Sequence, residues 1–414
     1  MSKVFKDRYL ASRLPKSSRR CLVLLTGARQ TGKTTLARAL WPELPYFNLD
    51  AIETRENLLQ IHTLNWGKQV GDSILDEAQK LPLVFEKVKY AYDADQIDFT
   101  ALTGSSQILL IQKIRESLAG RVFIYELFPL MLGEILGQGR GRPLLGKLLA
   151  NPGSIDKTLS EEPSILLADA EAGVKEAFQY MLQWGGMPAL LELSEKERLE
   201  WLKSYRQTYL ERDLGDLVRF NDLMPFNKLQ KLAALRTGEI LSFSSLARDS
   251  GISPATSRNY LRYLEISYQA FLLQPYYRNL TSSVRKAPKL YWTDIGIWRA
   301  LTGMFTSVPG PLFETYVVSE VLKWIRTSGA NFEPYYYRTR SGMEVDLLLV
   351  QGEDIIGIEI KNRDHVVRAD TKALRRISEA VGKKWIAGLV VTNGGAIREL
   401  EDSIWQVPAE RLFS

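Results

Sequence analysis

The chain has 414 residues, 45% of them hydrophobic and 25% charged, an ordinary globular composition that excludes disordered, collagen-like and coiled-coil proteins. Its single cysteine, Cys21, excludes an intrachain disulfide and a thiolate metal cluster, and the net charge is only +6. No apolar run approaches the ~18 residues of a membrane span, and the basic N-terminus leads into no secretory core, so a soluble, cytoplasmic protein with no membrane partner is expected.

In chain order, short apolar runs at Cys21–Thr26, Tyr46–Leu49, Ser73–Asp76, Phe99–Thr103 and Val122–Leu127 alternate with amphipathic stretches, the rhythm of a parallel α/β sheet. Between the first run and a helix that begins at Lys33 lie Gly27, Ala28, Arg29, Gln30, Thr31, Gly32, Lys33 and Thr34, a full match to G-x-x-x-x-G-K-[ST]. Glycines in such a loop let backbone N–H groups curl round a phosphate, and the helix N-terminus adds its positive end. Lys33 is expected on the β- and γ-phosphates and Thr34, followed by Thr35, on Mg²⁺, so ATP and Mg²⁺ are the expected ligands. The run Ser73–Asp76 ends in two acids, Asp76 and Glu77. Asp76 is expected to hold Mg²⁺ through water, and Glu77 to polarise the attacking water. At the tip of the next run, Ser105 is the first choice, and Ser106 the second, to orient that water. Arg121, before the fifth run, has two readings: a finger completing the site of a neighbouring copy in a homo-oligomer, or an arginine satisfying carbonyls at a helix end.

These segments, together with Leu75–Gln79, Thr103–Ser106, Gly120–Arg121 and Tyr209–Leu214, resemble a family of prokaryotic AAA+-type ATPases that carry a C-terminal restriction-endonuclease-like domain of uncharacterised role. The resemblance implies a five-stranded P-loop NTPase core with a helical lid, and brings no settled biological activity.

The glycine-rich stretch Gly133–Pro143 reads as a loop, and Val174–Trp184 and Glu195–Leu217 read as helices separated at Gly185–Pro188. Residues 242–264 read as a helix-turn-helix, with Gly251, Ile252 and Ser253 at the turn and a Ser-Pro start to the second helix. In that helix Tyr260, Leu261 and Leu264 face inward, leaving Thr256, Arg258, Asn259 and Arg262 for phosphates or base edges. Phe271–Arg278 reads as the wing of a winged helix, with Arg278, Arg285 and Lys286 beside it. Residues 222–306 hold 11 Lys and Arg against 5 Asp and Glu, so the basic excess coincides with this unit. DNA contact and a lid packed on the ATPase core are both open readings.

The last hundred or so residues read as helix, strands, helix. Helix Pro311–Thr327 carries Glu314 and Glu320, and two strands, Glu344–Val350 and Ile355–Ile360, close with Lys361. Alternation sets Asp346 on one strand near Glu359 on the other, with Lys361 two residues on. Asp-x(12)-Glu-x-Lys resembles the restriction-endonuclease-like nucleases. That resemblance implies Asp346 and Glu359 as Mg²⁺ ligands, Lys361 at the nucleophile and Glu314 as the helical member. Cutting of DNA and an inert binding or assembly module remain alternatives. The expected divisions are an ATPase core over 1–145, a helical lid over 146–222, a winged-helix unit over 223–288 and a nuclease-like α/β domain over 289–414.

Overall fold

The structure, a computed structural model, describes residues 6–104, 118–165, 168–217, 223–276, 287–339 and 341–414, with the backbone alone for 168–170 and 208–217. Five strands, β1 (Cys21–Thr26), β2 (Tyr46–Asn48), β3 (Ser73–Asp76), β4 (Phe99–Gly104) and β5 (Val122–Glu126), form a wholly parallel sheet in the order β2-β3-β4-β1-β5. Every residue of β1 is buried, because both faces are covered, as parallel sheets require. Leu22, Leu24, Leu75 and Leu102 pack on one face with Phe85 and Val88 of a helix. Cys21, Val23, Ile74 and Ala101 pack on the other with Ala37, Trp41 and Phe99, and the Trp41 and Phe99 rings are 5.2 Å apart. Two of the helices on these faces are α1 (Lys33–Leu40) and α2 (Leu83–Asp93). The chain is thus α/β with a parallel sheet core.

The stretch that reads as a loop after β5 opens instead with a helical turn, Leu132–Ile135. The sequence signal there was glycine, but Gly133 is glycine because a Cβ would stand 1.8 Å from the Tyr9 hydroxyl. Beyond it run α3 (Ala168–Trp184), α4 (Glu195–Leu217), α5 (Met224–Leu235), α6 (Phe243–Ser250) and α7 (Pro254–Ile266). Ser242 and Ser253 cap α6 and α7 by accepting the N–H of Ser245 and Thr256, and Gly251 closes α6 at φ 73°.

After α7, β6 (Ala270–Pro275) pairs antiparallel with β7 (Lys289–Trp292), and helices α8 (Ile295–Thr302) and α9 (Gly310–Ser328) follow. Strands β8 (Glu333–Arg338), β9 (Glu344–Gln351), β10 (Asp354–Lys361), β11 (Trp385–Thr392), β12 (Arg398–Glu401) and β13 (Ile404–Pro408), with α10 (Lys372–Val381), complete the chain apart from a last helical turn, Ala409–Leu412. All eight strands from β6 on form one sheet, β12-β13-β11-β10-β9-β8-β6-β7. The hairpin joins it where Gln274 and Pro275 pair in parallel with Tyr335 and Tyr336. One large apolar cluster, including Phe128, Leu145, Phe178, Phe226, Trp298, Phe313 and Leu347, unites the helical region with this sheet. Among the described residues no helix is long and apolar enough to cross a membrane.

Candidate functional sites

The phosphate loop leaves the C-terminal end of β1 under tight steric control. A Cβ on Gly27, at φ 146°, would meet the Leu127 carbonyl at 2.1 Å, and Gly32 precedes α1 at φ 95°. Glycine is required at both for conformation. Thr31 turns inward and donates to the Ala28 carbonyl at 2.9 Å, while Gln30 and Thr35 face outward. The buried Lys33 ammonium donates to the carbonyls of Gly27 at 3.0 Å and Ala28 at 2.7 Å, so the loop encircles its positive charge.

The acidic end of β3 lies against this loop. Asp76 accepts from Thr34 Oγ1 at 2.8 Å, from the Tyr46 hydroxyl at 2.7 Å and from Thr103 Oγ1. Burial, then the bond to Asp76, push the Tyr46 hydroxyl well above its ordinary range, so it remains a donor. Glu77 is half-buried with left-handed backbone, φ 55°, and its carboxylate accepts from the Gln79 amide. Lys33, Thr34, Asp76 and Glu77 are therefore brought together. Ser105 and Ser106 lie outside the described residues.

Arg121 is elsewhere. Val122 pairs with Leu22 at the start of β1, so Arg121 stands at the opposite end of the sheet, about 17 Å of strand from the loop. There its guanidinium grips Asp93 with two bonds, 2.6 and 3.1 Å, and donates to the Ala119 carbonyl. It does not reach the phosphate loop of its own chain.

Sequence reasoning missed the loop's supports. Arg8, 6% exposed, donates to the Thr31 carbonyl at 2.7 Å and the Phe128 carbonyl at 2.6 Å, and pairs with the buried Glu134 at 3.1 Å. Tyr205 of α4 reaches the Arg29 carbonyl at 3.4 Å, and Tyr268, just past α7, reaches Thr26 Oγ1 at 3.4 Å. No local pattern marks these residues. Thr103, a polar residue ending an apolar strand, did carry a signal.

In the middle region Tyr260, Leu261 and Leu264 are buried, while Arg258, Asn259 and Arg262 are exposed along α7. Thr256 is half-buried, with its hydroxyl on that of Ser253 at 2.9 Å. Arg278, Arg285 and Lys286 lie outside the described residues, as do the side chains of residues 209–214.

The C-terminal constellation assembles on β7, α9, β9 and β10. Antiparallel pairing of Leu347 with Ile358 sets Asp346 beside Glu359. Asp346 accepts the Ile360 N–H at 2.8 Å, and Lys361 donates to Glu359 Oε1 at 2.6 Å. Glu314 accepts from the Tyr291 hydroxyl at 2.7 Å and pairs with Lys289 at 3.2 Å; Lys289 also pairs with Glu344. Burial, reinforced by Glu359 and Glu314, pushes the Asp346 carboxyl well above its usual range, and burial pushes Glu359 up against the pull of Lys361. Burial alone would lower Lys289, but Glu314, Asp346 and Glu344 outweigh it and raise it. Glu314, Asp346, Glu359 and Lys361 thus meet, joined by Lys289, Tyr291 and Glu344. Glu320 is apart: buried on α9, it accepts the Leu132 N–H at 3.0 Å and pairs with Lys323.

The expected divalent cation on Asp346 and Glu359 does not fit this donor set. Among the described residues no group of three or more Asp, Glu, His or Cys is disposed to hold a metal ion. Glu359, Glu314 and Glu344 pair with lysines instead, and Asp346 accepts a backbone N–H. At the phosphate loop the donors do fit, since Thr34 and Asp76 present oxygens to each other at hydrogen-bond distance.

With known proteins, residues 19–136 match an AAA domain, 175–308 a domain of unknown function (DUF8612) and 309–412 another (DUF4143). The chain is 26% identical over 428 residues to the uncharacterized protein Rv2008c of Mycobacterium tuberculosis, covering 99% of this chain and 85% of that one. It is 24% identical over 286 residues to the uncharacterized protein MJ1544 of Methanocaldococcus jannaschii, covering 66% of this chain and 59% of that one. Among solved structures, the Walker-type ATPase PABY2304 of Pyrococcus abyssi aligns with a TM-score of 0.46 at 17% identity, over 72% of this chain and 96% of that chain.

Proposed function

We propose that the chain is an ATP-hydrolysing motor or switch of the AAA type that acts on DNA. The observation that carries the reading is the meeting of Lys33, Thr34, Asp76 and Glu77 at one end of the parallel sheet, beside a glycine-bent loop of the kind whose backbone N–H groups line a phosphate. In this reading Gly27 to Thr35 bind the triphosphate and Lys33 neutralises its β- and γ-phosphates. Thr34 and Asp76 would hold Mg²⁺, which supplies charge neutralisation at the phosphates. Glu77 takes the proton of the attacking water, and a nearby polar residue, Ser105, orients it. Arg121 completes the site of a neighbouring copy in a homo-oligomer.

The test is Glu77→Gln. It should keep ATP affinity and lose turnover by roughly 10²-fold or more, the contribution of a positioned general base. Unchanged turnover, or no ATP affinity in the parent protein, would remove the reading.

The DNA side is supported by α6, α7 and the hairpin β6–β7, the elements of a winged helix, and by exposed Arg258, Asn259 and Arg262 on α7. We read residues 1–145 as the ATPase core, 146–222 as a helical lid, 223–288 as the winged-helix unit and 289–414 as the nuclease-like domain. A second reading of the tail is favoured by the lysine pairing of its carboxylates. In it the protein is a nucleotide-controlled regulator whose nuclease-like tail scaffolds partners and does not cut.

A further inference from the structure

Four carboxylates, Glu314, Glu344, Asp346 and Glu359, share the C-terminal cluster with the ammonium groups of Lys289 and Lys361. Lys361 follows from the strand pattern; Lys289 belongs to β7, the second strand of the hairpin that follows α7, and enters the cluster from outside the α9–β9–β10 unit. It is 4% exposed, its ammonium lies 3.2 Å from Glu314 Oε1 and pairs with Glu344 Oε1, and the rings of Tyr291 and Tyr336 stand 6.0 and 5.8 Å away. A lysine buried this far must be paired to remain charged, and here it is paired twice.

We propose that the Lys289 ammonium is the resident counter-cation of this cluster, standing where a divalent cation would have to bind and making the cluster a metal-free site. The donor count supports it. A hard divalent cation takes about six oxygen ligands, several of them carboxylate oxygens with free lone pairs. Lys289 draws on Glu314 and Glu344, Lys361 on Glu359 Oε1, and the Ile360 N–H on Asp346 Oδ2. Glu359 Oε2 is buried with no hydrogen-bond partner, and with Asp346 Oδ1 and Glu314 Oε2, which take part in none of these pairs, it leaves three oxygens against about six. A metal reaching it would lie in the same buried cluster as a fixed positive charge. The strand that carries the ammonium is also held in place. The backbone of Lys289 pairs with Leu273 across the hairpin and with Ile240, and the flanking Pro288 and Leu290 carbonyls accept the N–H groups of Leu241 and Gly238. The Lys289 backbone is thus fixed on β7, the strand that links the hairpin after α7 to this site.

The inference rests on the second reading of the tail and does not depend on the phosphate loop. The experiment is a calorimetric titration of the nucleotide-free chain with Mn²⁺, for the parent protein and for Lys289→Met, Lys289→Gln and Lys289→Met/Asp346→Asn. The parent should bind no Mn²⁺ at this cluster. Lys289→Met or Lys289→Gln, whichever retains the parent's cooperative melting transition, should gain stoichiometric binding that Asp346→Asn abolishes. Stoichiometric Mn²⁺ on the parent, lost in Asp346→Asn, would overturn the proposal. So would a folded Lys289→Met or Lys289→Gln that binds none, an outcome that leaves the inactive-tail reading standing. Mg²⁺-dependent DNA cleavage by the parent, lost in Asp346→Asn, would instead remove the inactive-tail reading.

Discussion

Asp76 and Glu77 are chain neighbours in opposite surroundings. Asp76 is buried beneath three hydroxyls, whereas Glu77 is turned out of the strand by a left-handed backbone that costs a non-glycine residue about 1–2 kcal/mol. Strain of this kind collects where a side chain must be aimed rather than packed. A different carboxyl tests the energetics of burial. Glu265, in the last turn of α7, is raised above the ordinary glutamate value by burial, against the pull of Arg326 and Arg262. A raised folded value means that ionisation works against the fold. The stability present below the unfolded glutamate value is lost as pH rises through the folded one. Glu265→Gln should therefore gain on the parent from acid to neutral pH and then level off, read from denaturant midpoints across that range. A difference that stays constant with pH would show that Glu265 is not held this way.

At the scale of elements, α7 is fixed by packing on one side and open on the other. Tyr260, Leu261 and Leu264 anchor it, with the Tyr260 ring 5.1 Å from that of Phe226, while Arg258 and Arg262 lie on the exposed side, Arg258 donating to the Pro254 carbonyl at 3.4 Å and standing 5.7 Å from the Phe243 ring. If this face lies on DNA, Arg258→Ala with Arg262→Ala should weaken binding uniformly across sequences. Each lost phosphate contact should reduce the slope of log affinity against log salt by about 1. Retained affinity with an unchanged slope would mean that α7 serves only as a packed lid.

For the whole molecule, one buried arginine ties the N-terminal segment to the phosphate loop and to the turn after β5. Arg8→Ala would strand Glu134, 1% exposed, without its charge partner, and should cost about 3 kcal/mol or more in chemical denaturation. A loss below about 0.5 kcal/mol, the scatter of surface substitutions, would show that the clamp is dispensable. Arg121 addresses assembly. Because it stands across the sheet from its own loop, any direct contact it makes with a bound triphosphate would have to be with one held by a neighbour. Lys33→Ala and Arg121→Ala, each inactive alone, should recover turnover when mixed, since one copy keeps an intact loop and the other an intact arginine. No recovery, or full activity of Arg121→Ala alone, would leave Arg121 as a surface partner of Asp93.

The amino-acid order by itself determined the parts whose cause is local. The five core strands lie within a residue of their apolar runs, the loop Gly27–Thr34 is set by its glycines, the capped helices α6 and α7 follow their Ser and Gly signals, and the nearness of Asp346 to Glu359 follows from strand alternation and a short turn. Only the tertiary structure decided which distant side chains reach these sites. Arg8 lies 23 residues from Thr31 and 120 from Phe128, and Tyr205 lies 176 from Arg29. Lys289 enters the carboxylate cluster because the hairpin joins the C-terminal sheet at Gln274 and Pro275. Periodicity and capping act over a few residues. A buried charge is placed by whichever partner the folded chain brings to it, and that partner is chosen by packing.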